Sequence, residues 1–221
     1  MSDVNYLVKN GEVSPALAIK QGSFSVDSSG QATYRIPIEV PPGINGHTPQ
    51  LGLSYNHRSG NGPLGVGWSI EGGSSISRVG ANYATDGYKS AINFDHSDRL
   101  ALDGQRLVNV SGNYWSADAT YATEVQCWVK VVAGQSDTDG FTVVSKNGEV
   151  REYGNTPDSR ILVNNSGSEV RIWALNAIQD LNGNRIEYAY TQNPVAGLPA
   201  WGVVCSTSLR RSDSIGRSAC R

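Results

Sequence analysis

The sequence predicts an all-β chain, an antiparallel meander of short hairpins forming a sandwich-like body or an open barrel or shell segment. Three observations predict it. Turn dipeptides recur at short intervals, Asp86-Gly87, Asp103-Gly104, Asp139-Gly140, Asn147-Gly148 and Asn182-Gly183, and Asn or Asp followed by Gly tolerates the positive φ angles of a type I′ hairpin turn. Between them apolar and polar residues alternate with the period of a half-buried strand. The composition agrees: 25 glycines against one Met, and ten Tyr and five Trp against three Phe, which suits tight turns joining strands whose aromatics keep a polar handle.

Taken in order, residues 1–22 form a polar leader ending at a small apolar patch, residues 16–19, suited to a strand or a docking arm. Over residues 33–40, Tyr34, Ile36, Ile38 and Val40 alternate with Arg35, Pro37 and Glu39. Pro37 cannot donate to a ladder, so this strand is expected at an edge or with a bulge, and Pro41-Pro42-Gly43 ends it. Leu51, Leu53 and Tyr55 mark a second strand, residues 59–68 a glycine-rich connection, and residues 74–79 a third strand. The turn dipeptides then delimit strands at 99–102 with 106–110, 123–133, 141–145 with 149–153, and 170–178 with 185–191. Residues 173–180 alone have a helical flavour. From about Pro194 the alternation vanishes, and Arg210, Arg211, Arg217 and Arg221 make the end basic. The expected division is a leader (1–22), a β domain (23–191) and a basic tail (192–221) that is disordered or non-native.

The bulk properties narrow the function classes. A 221-residue chain suits one large β domain, and a domain of this size buries roughly 70% of its unfolded surface, so it folds without disulfide or metal staples. A net charge of -2 and a pI near 5.9 give no general attraction to phosphate backbones or anionic lipid, so nucleic acid is not an expected partner. No apolar run reaches the ~20 residues of a membrane span, and residues 1–10 lack the basic-then-apolar profile of a signal peptide. Cys127, Cys205 and Cys220 show neither a C-x-x-C metal pattern nor an even disulfide framework. Reduced thiols are expected, with no metal and no cofactor, and Cys127, between Gln126 and Trp128, reads as structural.

Several stretches invite chemical readings. Gly60, Gly62, Pro63, Gly65, Gly67 and Trp68 could pass for a phosphate-cradling loop, but the Lys-Ser/Thr and helix of a P-loop are missing. A structural corner is the stronger reading, with glycines supplying positive φ, Pro63 stiffening the turn and Trp68 anchoring it. His47, Tyr55, His57 and Arg58 offer the Tyr, His and cation that a polysaccharide lyase uses to neutralise a uronate and remove its α-proton. Strand alternation would set Tyr55 and His57 on one face, although a strand Tyr is usually core and an exposed His usually solvated. Asp95-His96-Ser97-Asp98 is a polar turn rather than a zinc site, since one His does not make one. Asp180-x-Asn182-Gly183-Asn184 lacks the later bidentate Glu of a calcium loop. No carboxylate pair and no Gly-x-Ser-x-Gly elbow stands out. Tyr114-Trp115, after Gly112-Asn113, is the best candidate for an exposed sugar-stacking pair.

Three stretches resemble a known family. The first runs Gly30-Gln-Ala-Thr-Tyr-Arg-Ile-Pro-Ile38, Pro41-Pro42-Gly43, Pro49-Gln-Leu-Gly-Leu-Ser-Tyr-Asn56, Gly60-Asn-Gly-Pro-Leu-Gly-Val-Gly-Trp68 and Ile76-Ser-Arg78. The second is Asp98-Arg-Leu-Ala-Leu-Asp-Gly-Gln-Arg-Leu107 with Tyr121-Ala-Thr-Glu124. The third is Asp139-Gly-Phe141, Tyr153-Gly154, Trp173-Ala-Leu175 and Asp180-Leu-Asn-Gly-Asn-Arg-Ile-Glu-Tyr-Ala-Tyr190. Together they resemble the N-terminal domain shared by the Salmonella virulence-plasmid B protein SpvB and the TcB component of insecticidal toxin complexes, which are related to Rhs-repeat proteins. The resemblance covers roughly residues 14–191. Family members are usually longer, His57-Arg58 stands where small polar residues are more usual, and the tail after Thr191 departs from the pattern. The resemblance implies a wall segment of a hollow β shell that holds a toxic effector, a virulence role, and a secreted or cell-surface bacterial location without a recognisable signal peptide. It implies other toxin-complex subunits or the rest of an Rhs-type shell as partners, with polysaccharide as a second possibility. The balance leans away from an enzyme. The alternative is a carbohydrate-active domain, a polysaccharide lyase or glycan-binding module, with Tyr55, His57 and Arg58 as its groove and Tyr114 and Trp115 as its glycan platform.

Overall fold

The computed structural model describes residues 7–9, 12–14, 22–40, 43, 46–62, 64–125, 127–136, 139–163, 169–192 and 203–211. The chain divides into two compact units, residues 1–41 with 49–72, and residues 42–48 with 73–221.

The first unit holds β1 (Leu7–Lys9), β2 (Glu12–Ser14), β3 (Ser23–Val26), β4 (Ala32–Ile38), β5 (Leu51–Asn56), β6 (Asn61–Gly62), β7 (Gly65–Val66) and β8 (Trp68–Glu71). β1 and β2 pair, β6 and β7 pair, and the rest form a four-stranded antiparallel sheet in the order β3-β4-β5-β8. The apolar patch at residues 16–19 lies outside the described residues. β4 is neither at the edge of its sheet nor bulged, the two options Pro37 led us to expect, but runs in unbroken register between β3 and β5. β3 reaches only to Arg35, so Pro37 pairs with Gly52 on one side and owes no hydrogen bond on the other.

The second unit holds β9 (Ser75–Val79), α1 (Tyr83–Asp86), β10 (Arg99–Leu102), β11 (Gln105–Ser111), β12 (Thr120–Thr123), β13 (Val129–Ala133), β14 (Phe141–Ser145), β15 (Val150–Tyr153), β16 (Arg160–Leu162), β17 (Val170–Gln179), β18 (Asn184–Gln192) and β19 (Val203–Arg211). The expected antiparallel meander is present, and its two ends meet. β17 pairs with β9 through residues 172–174 and with β15 through residues 175–179, which closes an eight-stranded barrel-like sheet. Each barrel strand turns one fully buried side chain into the core: Ile76, Leu100, Leu107, Tyr121, Val131, Val143, Tyr153 and Trp173 are all at most 1% exposed. β18 and β19 extend the sheet beyond the ring.

The turns are more varied than the dipeptides suggested. Asp103 and Gly104 both have positive φ, 49° and 82°, the type I′ geometry expected. At Asn147-Gly148 and Asn182-Gly183 the glycine alone is left-handed. Ser145 N–H donates to Glu149 O and Asp180 N–H to Asn184 O, so each hairpin closes over three residues, a type I turn followed by a glycine bulge. Asp86-Gly87 is no hairpin. Asn82 accepts from Thr85 N–H and caps α1, and Gly87 ends that helix in the left-handed conformation. The strand expected over residues 123–133 is two, β12 and β13, separated by a turn in which Trp128 has φ 56°. Residues 173–179 are strand, not helix, and Asp180 begins the turn that follows. Their run of buried positions from Trp173 to Ala177 reflects a strand shared by β9, β15, β16 and β18 and covered on both faces. Within the stretch read as a basic tail, β19 pairs along the whole of β18.

Candidate functional site

The four-stranded sheet of the first unit sorts its side chains by face. Cross-strand partners share a face, so the pairs Phe24–Tyr34–Tyr55–Trp68, Val26–Ala32, Ile36–Leu53–Ile70 and Ile38–Leu51 line one side. Every residue on it is apolar or aromatic. The other side carries Ser25 bonded to Thr33, Ser54 bonded to Ser69, and Arg35 paired with Glu71. No side chain of the apolar side is buried, and Phe24, Val26, Ile38 and Ile70 are 67%, 55%, 43% and 41% exposed. An antiparallel sheet with one apolar side ordinarily packs that side on a core, whereas here that side keeps apolar surface exposed, most of all at Phe24 and Val26.

The residues expected to make a lyase groove serve this sheet. β5 ends at Asn56, and His57 and Arg58 lie in the turn beyond it, so alternation does not carry His57 onto the face of Tyr55. His57 Nδ1 accepts from Ala32 N–H at 2.9 Å. Arg58 donates to Ser29 O at 2.7 Å and Ser29 Oγ at 3.2 Å. Both tie down the β3–β4 turn. The Tyr55 ring lies 5.4 Å from that of Trp68. The corner at Gly60, Gly62, Gly65 and Gly67 is the β6–β7 hairpin, with Pro63 outside the described residues. Gly67 has φ +80°, and a Cβ there would meet the Tyr55 ring at 2.5 Å and Asn56 O at 2.9 Å, so the close approach of Trp68 to Tyr55 requires glycine.

In the second unit the polar cluster lies at the barrel end where β17 begins. Arg78 points inward and is 6% exposed. Its guanidinium donates to Val170 O at 2.8 Å, Asp95 O at 2.9 Å and the Asp98 carboxylate at 3.3 Å, and it lies 4.3 Å over the Trp115 ring. Asp98, wholly buried, also accepts from the Asn93 and Phe94 backbone N–H groups at 2.8 Å. His96 stacks against Trp115, whose Nε1 donates to Asp98 O at 2.9 Å. Tyr114 replaces a rung of the barrel. Its hydroxyl accepts from Leu100 N–H at 2.7 Å and donates to Leu107 O at 3.3 Å, the two groups that would bond next had the β10–β11 ladder continued. Burial pushes the Tyr114 phenol pKa up. Tyr114 and Trp115, expected as an exposed pair, are therefore half-buried and engaged. Beside them residues Phe94, Asp95, His96 and Ser97 line an open hollow of about 490 Å³.

Among the described residues no three His, Cys, Asp or Glu side chains come together to hold a metal. Cys127, expected as a structural residue in an apolar run, is an exposed free thiol, because the β12–β13 turn lifts it out of the sheet. The Arg78–Asp98 pair was not singled out from sequence. Its signal was a charge at an inward position, two residues after Ile76.

On the outside of the barrel, Asp86 receives Arg99 Nε at 2.8 Å and pairs with Arg106. Burial by itself would raise its pKa, but the Asn82 N–H, the Arg99 bond and the Arg106 charge outweigh it and hold the carboxyl below its ordinary value. A depressed folded pKa adds stability that is complete above the unfolded value of about 3.9 and is lost as pH falls through the folded one. We expect Asp86→Asn to flatten the acid limb of stability against pH, measured by urea unfolding. An acid limb of unchanged slope would contradict this role.

A closed antiparallel barrel-like sheet and a four-stranded amphipathic sheet define an all-β module. The sequence model of the family described as Salmonella virulence plasmid 65kDa B protein, SpvB, matches residues 26–83 and 95–214, and the chain belongs to that family. Among solved structures, the TcdB2-TccC3 crystal structure is similar with a TM-score of 0.66 at 20% identity over 91% of this chain. The Photorhabdus luminescens Tc holotoxin pore gives 0.65 at 18% over 96%. The N-terminal domain of effector protein SpvB from Salmonella typhimurium strain LT2 gives 0.57 at 20% over 79%. The likeness establishes a shared fold. This chain spans 12% of the matched chain in each of the first two and 64% of it in the third. No curated protein matches by sequence.

Proposed function

We propose that this chain is a structural and interaction segment of a toxin-complex B-type wall, completed by other toxin-complex subunits or by the rest of an Rhs-type shell, which encloses and helps deliver a toxic effector as a secreted or cell-surface assembly. The observation that carries the reading is the edge of β19. The sheet runs on past the closed ring through β18 to β19, nine residues long, which is hydrogen-bonded on one side only among the described residues. An edge of that length is a template for a further strand. The family membership and the folds of the toxin-complex neighbours support the same reading. The internal engagement of His57, Arg58, Tyr114 and Trp115 favours it over a polysaccharide groove.

The test is a graft. This chain replaces the corresponding segment of TcdB2-TccC3, and the product is examined by electron microscopy and limited proteolysis. A closed particle that shields its interior from protease is expected. A folded graft, native by circular dichroism, whose interior is cut as fast as an open chain would refute the wall role.

A further inference from the structure

We propose that Asn147, in the β14–β15 turn, is a modification site at which the folded protein deamidates, its side-chain amide becoming a carboxylate with water as the only co-reactant. The inference is independent of the wall reading, which rests on the β19 edge.

Two hairpins of the second unit form a matched pair. In the β14–β15 turn Ser145 N–H donates to Glu149 O and Gly148 N–H to Ser145 O, both at 2.9 Å. In the β17–β18 turn Asp180 N–H donates to Asn184 O at 3.0 Å and Gly183 N–H to Asp180 O at 3.1 Å. Asn147 and Asn182 hold the same place in the two turns and both are exposed. Each is followed by a glycine with φ 80°, whose nitrogen no side chain shields. The turns differ in where one N–H goes. Glu149 N–H donates to the Asn147 side-chain carbonyl, Oδ1, at 3.2 Å. The equivalent N–H, on Asn184, is taken by the Asp180 carboxylate at 2.8 Å, which also holds the Asn182 N–H at 2.9 Å.

That difference sets up the chemistry at Asn147. A side chain bonded to the amide two residues ahead folds back over the peptide between, which brings Cγ toward the Gly148 nitrogen. The N–H on Oδ1 also polarises the carbonyl and stabilises the negative charge that gathers there on attack. The Gly148 nitrogen gives its proton to water or hydroxide and bonds to Cγ, while Nδ2 takes up a proton and leaves as ammonia, closing a succinimide ring. Water then adds to either ring carbonyl and the ring opens. Aspartate results when the new Cγ–N bond breaks, and isoaspartate when the original peptide bond breaks. One water is consumed, one ammonia is released and nothing is oxidised. The carboxylate arises next to Lys146, whose ammonium lies 5.5 Å over the Trp128 ring. Isoaspartate also lengthens the backbone of a turn in which Gly148 packs against Leu181.

The test incubates the whole chain in mildly alkaline buffer, folded and in urea, and maps its peptides by mass spectrometry for the gain that turns an amide into an acid. In the folded chain Asn147 should react about fivefold faster than Asn182, the worth of one ordinary hydrogen bond. In urea, where both turns are lost, that preference should disappear. Asp180→Ser, which frees the Asn184 N–H for the Asn182 side chain, should raise the rate at Asn182 toward that at Asn147, once circular dichroism has shown the wild-type fold. Equal folded rates at the two positions, or a preference for Asn147 that persists unchanged in urea, would assign the reaction to the local sequence and overturn the proposal. An Asp180→Ser variant that keeps both the fold and the wild-type rate at Asn182 would overturn it as well. So would a folded chain whose Asn147 stays an amide while the chain in urea reacts, because the turn would then protect the residue.

Discussion

Replacing Arg78 with Ala should lower the stability of the second unit by about 3–5 kcal/mol, the usual cost of removing one partner from a buried ion pair. The side chain is 6% exposed and the carboxylate it meets, on Asp98, is 0% exposed, so solvent does not screen what is lost. The loss has three parts. Val170 O and Asp95 O lose their donor. Trp115 loses the cation on its face. Asp98 keeps two backbone N–H donors but no counter-charge. Arg78→Lys should not rescue it, because an ammonium on a flexible stem cannot reproduce the planar fork that reaches all three oxygens and stacks on the ring. Arg78→Met combined with Asp98→Asn should cost less than Arg78→Ala, since the pair then leaves no charge behind. The measurement is the urea unfolding free energy. A loss below about 1 kcal/mol in Arg78→Ala would mean that the barrel end does not depend on this cation.

That cluster also shows where sequence reasoning stopped. Strands were legible where one face is buried and one is wet, because alternation then writes itself into the sequence, as in β14, or where a turn dipeptide marks their end, as Asp103-Gly104 does for β10; both fall on the expected residues. β17 was half misread as helix because a strand covered on both faces shows no alternation. Closure of the barrel was not legible at all. It rests on β17 meeting both β9 and β15, pairings of high sequence separation that no local pattern records. The candidate sites follow the same logic. Tyr55, His57 and Arg58 are close in sequence, but the strand ends between Asn56 and His57, so His57 and Arg58 bond to the β3–β4 turn while Tyr55 stays on the sheet against Trp68. The apolar face of the first sheet was half visible, as Tyr34, Ile36, Ile38, Leu51, Leu53 and Tyr55. That it keeps apolar surface exposed could be known only from the structure.

The second large effect is expected at Trp173, and it has a sharper form than simple loss of volume. Trp173 is 0% exposed and sits where β9 and β17 close the ring, opposite Ile76, with the Phe141 ring 5.2 Å away edge-on and Trp115 at 6.2 Å. Gly154 is left-handed and lies so close that a Cβ there would fall 2.3 Å from the indole, so the backbone itself is shaped around this ring. Trp173→Ala should therefore cost about 3–5 kcal/mol, the range for truncating a large buried aromatic that its surroundings cannot refill. The indole Nε1, however, is buried without a hydrogen-bond partner among the described residues, a state that ordinarily costs about 1–3 kcal/mol. Trp173→Phe removes that unpaired donor along with part of the ring, so the two effects oppose, and its net loss should be about 1 kcal/mol or less. If Trp173→Phe instead destabilises nearly as much as Trp173→Ala in urea unfolding, relief of the unpaired nitrogen counts for little, and it is the full volume of the indole that closes the barrel.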